Sequence, residues 1–222
     1  MPAAHPYRDR AAAGRVLAQH LAHHRERPGV VVLGLPRGGV PVALEVARFL
    51  GAPLDIFLVR KLGLPGEEEF ALGAIASGGV RLLDDALVAA VHLPPDEIER
   101  IVRRETAELR RRENLYRANR PELALTGRHL IVVDDGFATG FSMRAALAAL
   151  RRLQPAWLTA AAPVGAPETC AALADACDEV VCPLRPSSFR AVGLWYERFE
   201  PTSDAGVQAA LREGASLSTP KK

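Results

Sequence analysis

The chain has 222 residues, 49% of them apolar and 24% charged, enough to bury the core of one α/β domain with an accessory element or of two small domains. With 28 lysines and arginines against 26 aspartates and glutamates the net charge is +2, so the chain lacks the basic footprint of a nucleic-acid-binding protein. No apolar run is long enough to span a membrane, and the polar start MPAAHPYRDR has no signal-peptide core; with Cys170, Cys177 and Cys182 at no zinc-site spacing, the expectation is a cytoplasmic protein with reduced, buried thiols.

In chain order, Tyr7–Arg27 carries Val16, Leu17 and Leu21 at helical spacing, with Asp9 as a cap and Pro28-Gly29 as a stop. The β-branched run Val30–Leu35 reads as a buried strand, PRGG as a turn, and Val40–Leu50 as a helix ended by Gly51. LDIFLV (Leu54–Val59) reads as a second buried strand, and Lys61–Gly79 as part loop and part strand. Helices are expected over Asp84–Val91 and Pro95–Arg117. The second has an apolar stripe (Ile98, Ile101, Val102, Leu109) and a charged face with Glu99/Arg103 and Glu108/Arg112 at i,i+4. Acids interleave Arg110, Arg111 and Arg112, so the triplet reads as a solvated face.

His129–Val133, Trp157–Val164 and Glu179–Cys182 read as further strands, with helices over Ser142–Leu153 and Pro167–Ala176. Strands alternating with helices predict a mainly parallel open sheet flanked by helices, with right-handed crossovers. Residues after about Gly214 read as a frayed tail. His20, His23 and His24 sit on or beside one helical turn with no acidic or thiol partner nearby, so they read as exposed helix histidines and not as a metal site.

The segment Ile131–Arg144, IVVDDGFATGFSMR, carries the most chemistry. A buried strand ends in Asp134 and Asp135, and the turn from Gly136 to Ser142 leads into a helix, placing these groups where open α/β sheets bind ligands. Backbone N–H groups of the turn and helix N-terminus favour phosphate. Thr139 and Ser142 add hydroxyls, and Gly140 permits close approach. Two carboxylates beside a phosphate cradle make sense when the ligand also presents hydroxyls, since a carboxylate accepts two hydrogen bonds from a vicinal diol. A phosphorylated ribose presents both groups.

This pattern, a hydrophobic strand, Asp-Asp, three residues, then Thr-Gly-x-Ser/Thr, resembles the signature of the type I phosphoribosyltransferase family. The resemblance implies that family's fold with a small hood element, residues 1–213 as one domain and 214–222 as a flexible tail. It implies that Asp134 and Asp135 contact the ribose hydroxyls of 5-phosphoribosyl 1-pyrophosphate (PRPP), that Ala138, Thr139, Gly140, Phe141 and Ser142 hold its 5′-phosphate, and that Gly136 and Phe137 belong to the same substrate-binding loop. Phe141 stands where the family often has Gly, and Ser142 where it usually has Thr.

Two further segments are similar to the family's leaving-group machinery. Pro36-Arg37-Gly38-Gly39 resembles the pyrophosphate loop, which often holds a non-proline cis peptide; Arg37 supplies a forked cation and the glycines free backbone amides. Arg60-Lys61 ends the strand LDIFLV as a pair of cations, with Lys61 implied at the leaving group, and Gly63–Gly79 occupies the place of the family's mobile loop, its acids Glu67, Glu68 and Glu69 read as solvated. Phe189–Asp204 resembles the tail of a poorly characterised bacterial subgroup.

The resemblance thus implies displacement of pyrophosphate from PRPP by a nitrogenous acceptor, with Arg37, Lys61, Asp134 and Asp135 as the catalytic set. Mg²⁺ would be held through substrate and water, with no direct protein ligands, and the chain would form a homodimer. A non-catalytic PRPP or nucleotide sensor of the same fold is the alternative. Family members acting on 6-oxopurines usually carry Asp immediately before the Thr; Ala138 stands there and disfavours those acceptors. Phe137, Phe141, Trp195 and Tyr196 are the aromatic candidates for stacking a base, with packing favoured for the last two.

Overall fold

The computed structural model describes residues 6–64, 67–91, 94–117 and 122–217. The first half of the chain forms α1 (Arg10–His20), β1 (Val30–Gly34), α2 (Gly39–Leu50), β2 (Leu54–Ile56), β3 (Val59–Leu64), β4 (Glu67–Ala76) and β5 (Val80–Leu83). The second half forms α3 (Asp85–Val91), α4 (Pro95–Arg117), β6 (His129–Val133), α5 (Phe141–Arg152), β7 (Trp157–Ala161), α6 (Pro167–Ala174), β8 (Glu179–Val181) and α7 (Asp204–Leu217). No helix among the described residues is long and apolar enough to cross a membrane.

The main sheet is five-stranded and parallel, in the order β2-β1-β6-β7-β8. Its strands are apolar on both faces because helices cover both. Val30, Val32, Ile131 and Val133 pack toward α1, α2 and α7, whereas Val31, Leu33, Leu130 and Val132 pack toward α5 and α6. The expected mainly parallel, helix-flanked architecture is therefore the observed one.

A second sheet, β3-β4-β5, is antiparallel and lies between β2 and α3 in the chain. It corrects the reading of LDIFLV as one strand. Leu54–Ile56 pair with β1, the Phe57 amide donates to the Gly34 carbonyl, the Leu58 amide to Ser77 Oγ, and from Val59 the chain pairs with β4. Both halves are buried, so a continuous apolar run concealed the change of sheet. Most of Gly63–Gly79 is strand rather than loop, and the side chains of Glu67, Glu68 and Glu69 lie outside the described residues.

Helix α4 buries Ile98, Ile101 and Leu109 as its stripe requires, and Arg112 reaches Glu108 at 2.8 Å; Glu99 instead meets Arg81 of β5 at 2.5 Å. Helix α7 has no counterpart in the sequence reading. It buries Val207, Ala210 and Leu211 and is tied to α4 by Tyr116 Oη donating to Asp204 Oδ1 (2.8 Å) and by Gln208 donating to the Leu115 carbonyl (2.6 Å). Gly214 is buried against Leu54 and the helix continues to Leu217, so the ordered chain runs past the expected boundary at 213. Residues 218–222 of the expected tail lie outside the described set.

Asp9 caps α1, its Oδ1 accepting from the Ala12 amide at 2.8 Å. Asp9→Ala should lower unfolding stability by about 1 kcal/mol in a denaturant titration, the ordinary worth of such a cap. The three cysteines are buried and form no disulfide. Of the histidines read as exposed, His24 is fully buried, and Glu179 of β8 supplies the acidic partner that the neighbouring sequence lacks.

Candidate active site

Strands β1 and β6 are neighbours, and the chain reverses its direction of travel across the sheet between them: β1 leads outward to β2, and β6 leads the other way to β7 and β8. Loops leaving adjacent strands at such a switch point diverge and open a crevice at the carboxyl edge. PRGG leaves β1 there and Asp134-Asp135 leaves β6, so segments almost a hundred residues apart form one wall.

Their contact is close. The Leu35 amide donates to the Val133 carbonyl at 2.9 Å. A Cβ on Gly39 would stand 2.5 Å from the Val133 carbonyl oxygen and 2.8 Å from Asp134 Cα, and one on Gly38 would overlap the Asp135 carboxylate. Only glycine lets the two loops approach this nearly. The Pro36–Arg37 peptide is cis, as the resemblance implied.

Beyond the aspartates, Phe137 turns inward and is buried, with its amide donating to the Val164 carbonyl at 2.9 Å. Gly140 adopts φ 69° as the N-cap of α5, a left-handed conformation that suits glycine, and Thr169 Oγ1 donates to the Ala138 carbonyl at 2.5 Å. These constraints shape a concavity of about 160 Å³ lined by Asp134 and residues 136–143, at the N-terminus of α5. All seven expected loop residues, Gly136 to Ser142, line it, and Ala138, Thr139 and Ser142 are exposed to solvent.

Lys61 joins this group: its Nζ stands 4.6 Å from the Phe141 ring centroid, above the loop. Its sequence neighbour Arg60 is engaged by an acid. Arg60 binds Glu105 of α4 through two nitrogens at 2.5 and 2.7 Å, although both cations line one cavity with Arg104, Glu105 and Glu108. Arg37 is half exposed and faces a separate cavity, also about 160 Å³, that it shares with Arg111, Arg112, Tyr116 and Asp204, whose Oδ1 is 3.7 Å away. The arginine triplet thus remains on a solvated helix face, but two of its members converge with Arg37.

Arg10 is the residue that sequence reasoning missed. At the first turn of α1 it grips Asp135 Oδ2 through Nε and a terminal nitrogen, both at 2.8 Å, donates to the Glu200 carbonyl and stacks 3.9 Å above the Phe199 ring. Tyr196 Oη donates to the Asp135 carbonyl at 2.6 Å, and Tyr7, paired with Tyr196, donates to the Pro163 carbonyl at 2.9 Å. Residues 7–13 and 184–199 therefore build a hood over the carboxyl edge, with Val192 against Gly136. Tyr196 is buried packing, as expected; the Trp195 indole N–H is buried with no partner among the described residues.

Burial pushes both carboxyls up: Asp134 well above the usual carboxylate range, through burial and then the neighbouring Asp135 charge, and Asp135 upward through burial against the opposing pull of Arg10. The Asp135 amide donates to Asp134 Oδ1 at 2.9 Å and offsets only part of this cost.

An open parallel sheet with these two loops at its switch point and a small hood above them is the type I phosphoribosyltransferase fold. The phosphoribosyl transferase domain model matches residues 7–193, and the chain belongs to this family. Two relatives from Mycobacterium tuberculosis, of strains H37Rv and CDC 1551, carry a provisional phosphoribosyl transferase name and are each 47% identical over 203 residues. The match covers 91% of this chain and 46% of each relative, so the chain spans about half their length. The crystal structure of TT1426 from Thermus thermophilus is 44% identical, with TM-score 0.83, covering 93% of this chain and 98% of that one.

Proposed function

We propose that the chain transfers the 5-phosphoribosyl group from PRPP to a nitrogenous acceptor and releases pyrophosphate. The observation that carries this reading is the packing of Gly38 and Gly39 against Asp134 and Asp135, which gives the loop suited to a diphosphate and the carboxylates suited to a diol a common wall. In this reading Asp134 and Asp135 accept from the ribose hydroxyls, and the amides and hydroxyls of residues 136–142 hold the 5′-phosphate. Pro36 to Gly39 receive the pyrophosphate, which Arg37 and Lys61 neutralise as it departs with the electron pair of the C1–O bond. Holding donor and acceptor in line while excluding water is the main task of such a site.

Mg²⁺ fits these residues as a cation brought by the substrate. Beside the two carboxyls stands one guanidinium, Arg10, and among the described residues no third metal-ligating side chain joins Asp134 and Asp135. When bound, Mg²⁺ supplies neutralising charge on the diphosphate. Ala138 in place of an aspartate favours acceptors other than 6-oxopurines.

The test is pyrophosphate release from PRPP and Mg²⁺ across a panel of purines, pyrimidines and amines. Release with at least one acceptor, reduced by Lys61→Ala, is the expected result. PRPP binding without release across the panel would replace this reading with that of a sensor.

A further inference from the structure

The second cluster of chemically capable side chains lies away from the carboxyl edge. Helix α1 starts at Asp135 and runs toward the amino side of the sheet, where it ends in the short turn Ala22–His24. There His23 Nε2 meets Glu179 Oε1 at 2.8 Å and His24 Nε2 meets Glu179 Oε2 at 2.7 Å. Glu179 is the first residue of β8, the outer strand of the sheet. One ligand atom from each of the three residues falls within 4.8 Å of the other two.

We propose that His23, His24 and Glu179 form a Zn²⁺-class metal site that staples the end of α1 to the outer strand. The donor set is two imidazole nitrogens and one carboxylate oxygen, a combination that suits Zn²⁺ and its neighbours and not the all-oxygen shells of Mg²⁺ or Ca²⁺. Around a tetrahedral ion bound at about 2.0–2.1 Å, ligand atoms stand roughly 3.3 Å apart, and the three ligand atoms here lie within 4.8 Å of one another, a spread that side-chain adjustment can bring to that arrangement. A fourth position is left for water on the open side.

The surroundings are organised as for a ligand set. Trp157 Nε1 donates to Thr159 Oγ1 at 3.2 Å, and Thr159 Oγ1 donates to Glu179 Oε2 at 3.1 Å, a relay that fixes the carboxylate from behind. His24 is fully buried while the His23 side chain is 47% exposed, so the cluster has a rigid floor and an accessible mouth. His24 Nδ1 has no hydrogen-bond partner among the described residues and can take the ring proton when Nε2 turns its lone pair to a metal. The site is independent of the proposed phosphoribosyl chemistry at the opposite edge.

The full chain, stripped with a chelator and titrated with Zn²⁺ by calorimetry with elemental analysis, should take up one ion per chain at this site and show a raised thermal midpoint. Co²⁺ should give the visible absorption of a tetrahedral complex. His23→Ala, whose ring is exposed and whose fold is therefore safe, and Glu179→Gln should each weaken Zn²⁺ affinity at least ~100-fold, as loss of a direct ligand costs more than the 10–100-fold of an outer-shell partner. Thr159→Val should weaken it about tenfold, and His20→Ala should leave it unchanged. Absence of stoichiometric uptake, or uptake that His23→Ala leaves unaltered, would show the cluster to be a hydrogen-bond network alone.

Discussion

Asp134→Asn/Asp135→Asn is expected to lose PRPP affinity by at least ~100-fold in calorimetry, since a hydrogen bond to a charged group is worth about 1.5–3 kcal/mol and two are weakened together. An unchanged affinity would refute the assignment of these residues to the ribose. The single variant Asp134→Asn should at the same time make the ligand-free chain more stable. The Asp134 pKa is raised in the folded state, so between the unfolded and folded values the native chain holds more protons than the unfolded one, and stability falls as pH rises. Asparagine removes that loss while its side-chain oxygen can still accept from the Asp135 amide. The advantage of Asp134→Asn should therefore vanish in acid below the ordinary carboxylate range and grow as pH rises through the raised pKa. Over that same range the parent chain should bind PRPP more tightly, because the diol is accepted by ionised carboxylates.

The second large effect belongs to Arg10. Arg10→Ala strands two adjacent, mostly buried carboxylates without their cation, and removing one partner of a buried pair costs about 3–5 kcal/mol. Denaturant unfolding should register a loss of that order. Asp135→Asn in the Arg10→Ala background should recover most of it, because the unpaired charge is then gone; a double-mutant cycle without coupling would mean that the contact is incidental.

Much of this architecture is legible in the sequence because its signals are local. β6 and α4 occupy the expected residues, since the apolar run of the one and the amphipathic stripe of the other are complete within each segment. The Asp-Asp loop is equally self-contained: strand, carboxylates, glycine and helix start follow in order. What escaped is long-range. Arg10 gives no local sign of its role, because only the fold brings α1 to the end of β6. Glu179 stands far along the chain from His23 and His24, so the histidines looked solitary. The change of sheet within LDIFLV was hidden for a different reason, since burial on either side of Phe57 produces the same apolar letters. The ion pair of Arg60 with Glu105 is long-range too, since the acid lies 45 residues further along the chain.

The hood has a consequence for how the domain assembles. Asp135 is held by Arg10 from 125 residues upstream and by Tyr196 from 61 residues downstream, while Tyr7 reaches Pro163 across 156 residues. Contacts between such distant chain segments carry the largest loop-closure entropy and form after the local ones. A chain emerging from denaturant will recover helical signal before these clasps close, and the ribose-phosphate binding proposed for it should return last. Removal of either residues 7–10 or residues 196–199 would spare both loops and still leave Asp135 without one of its clasps.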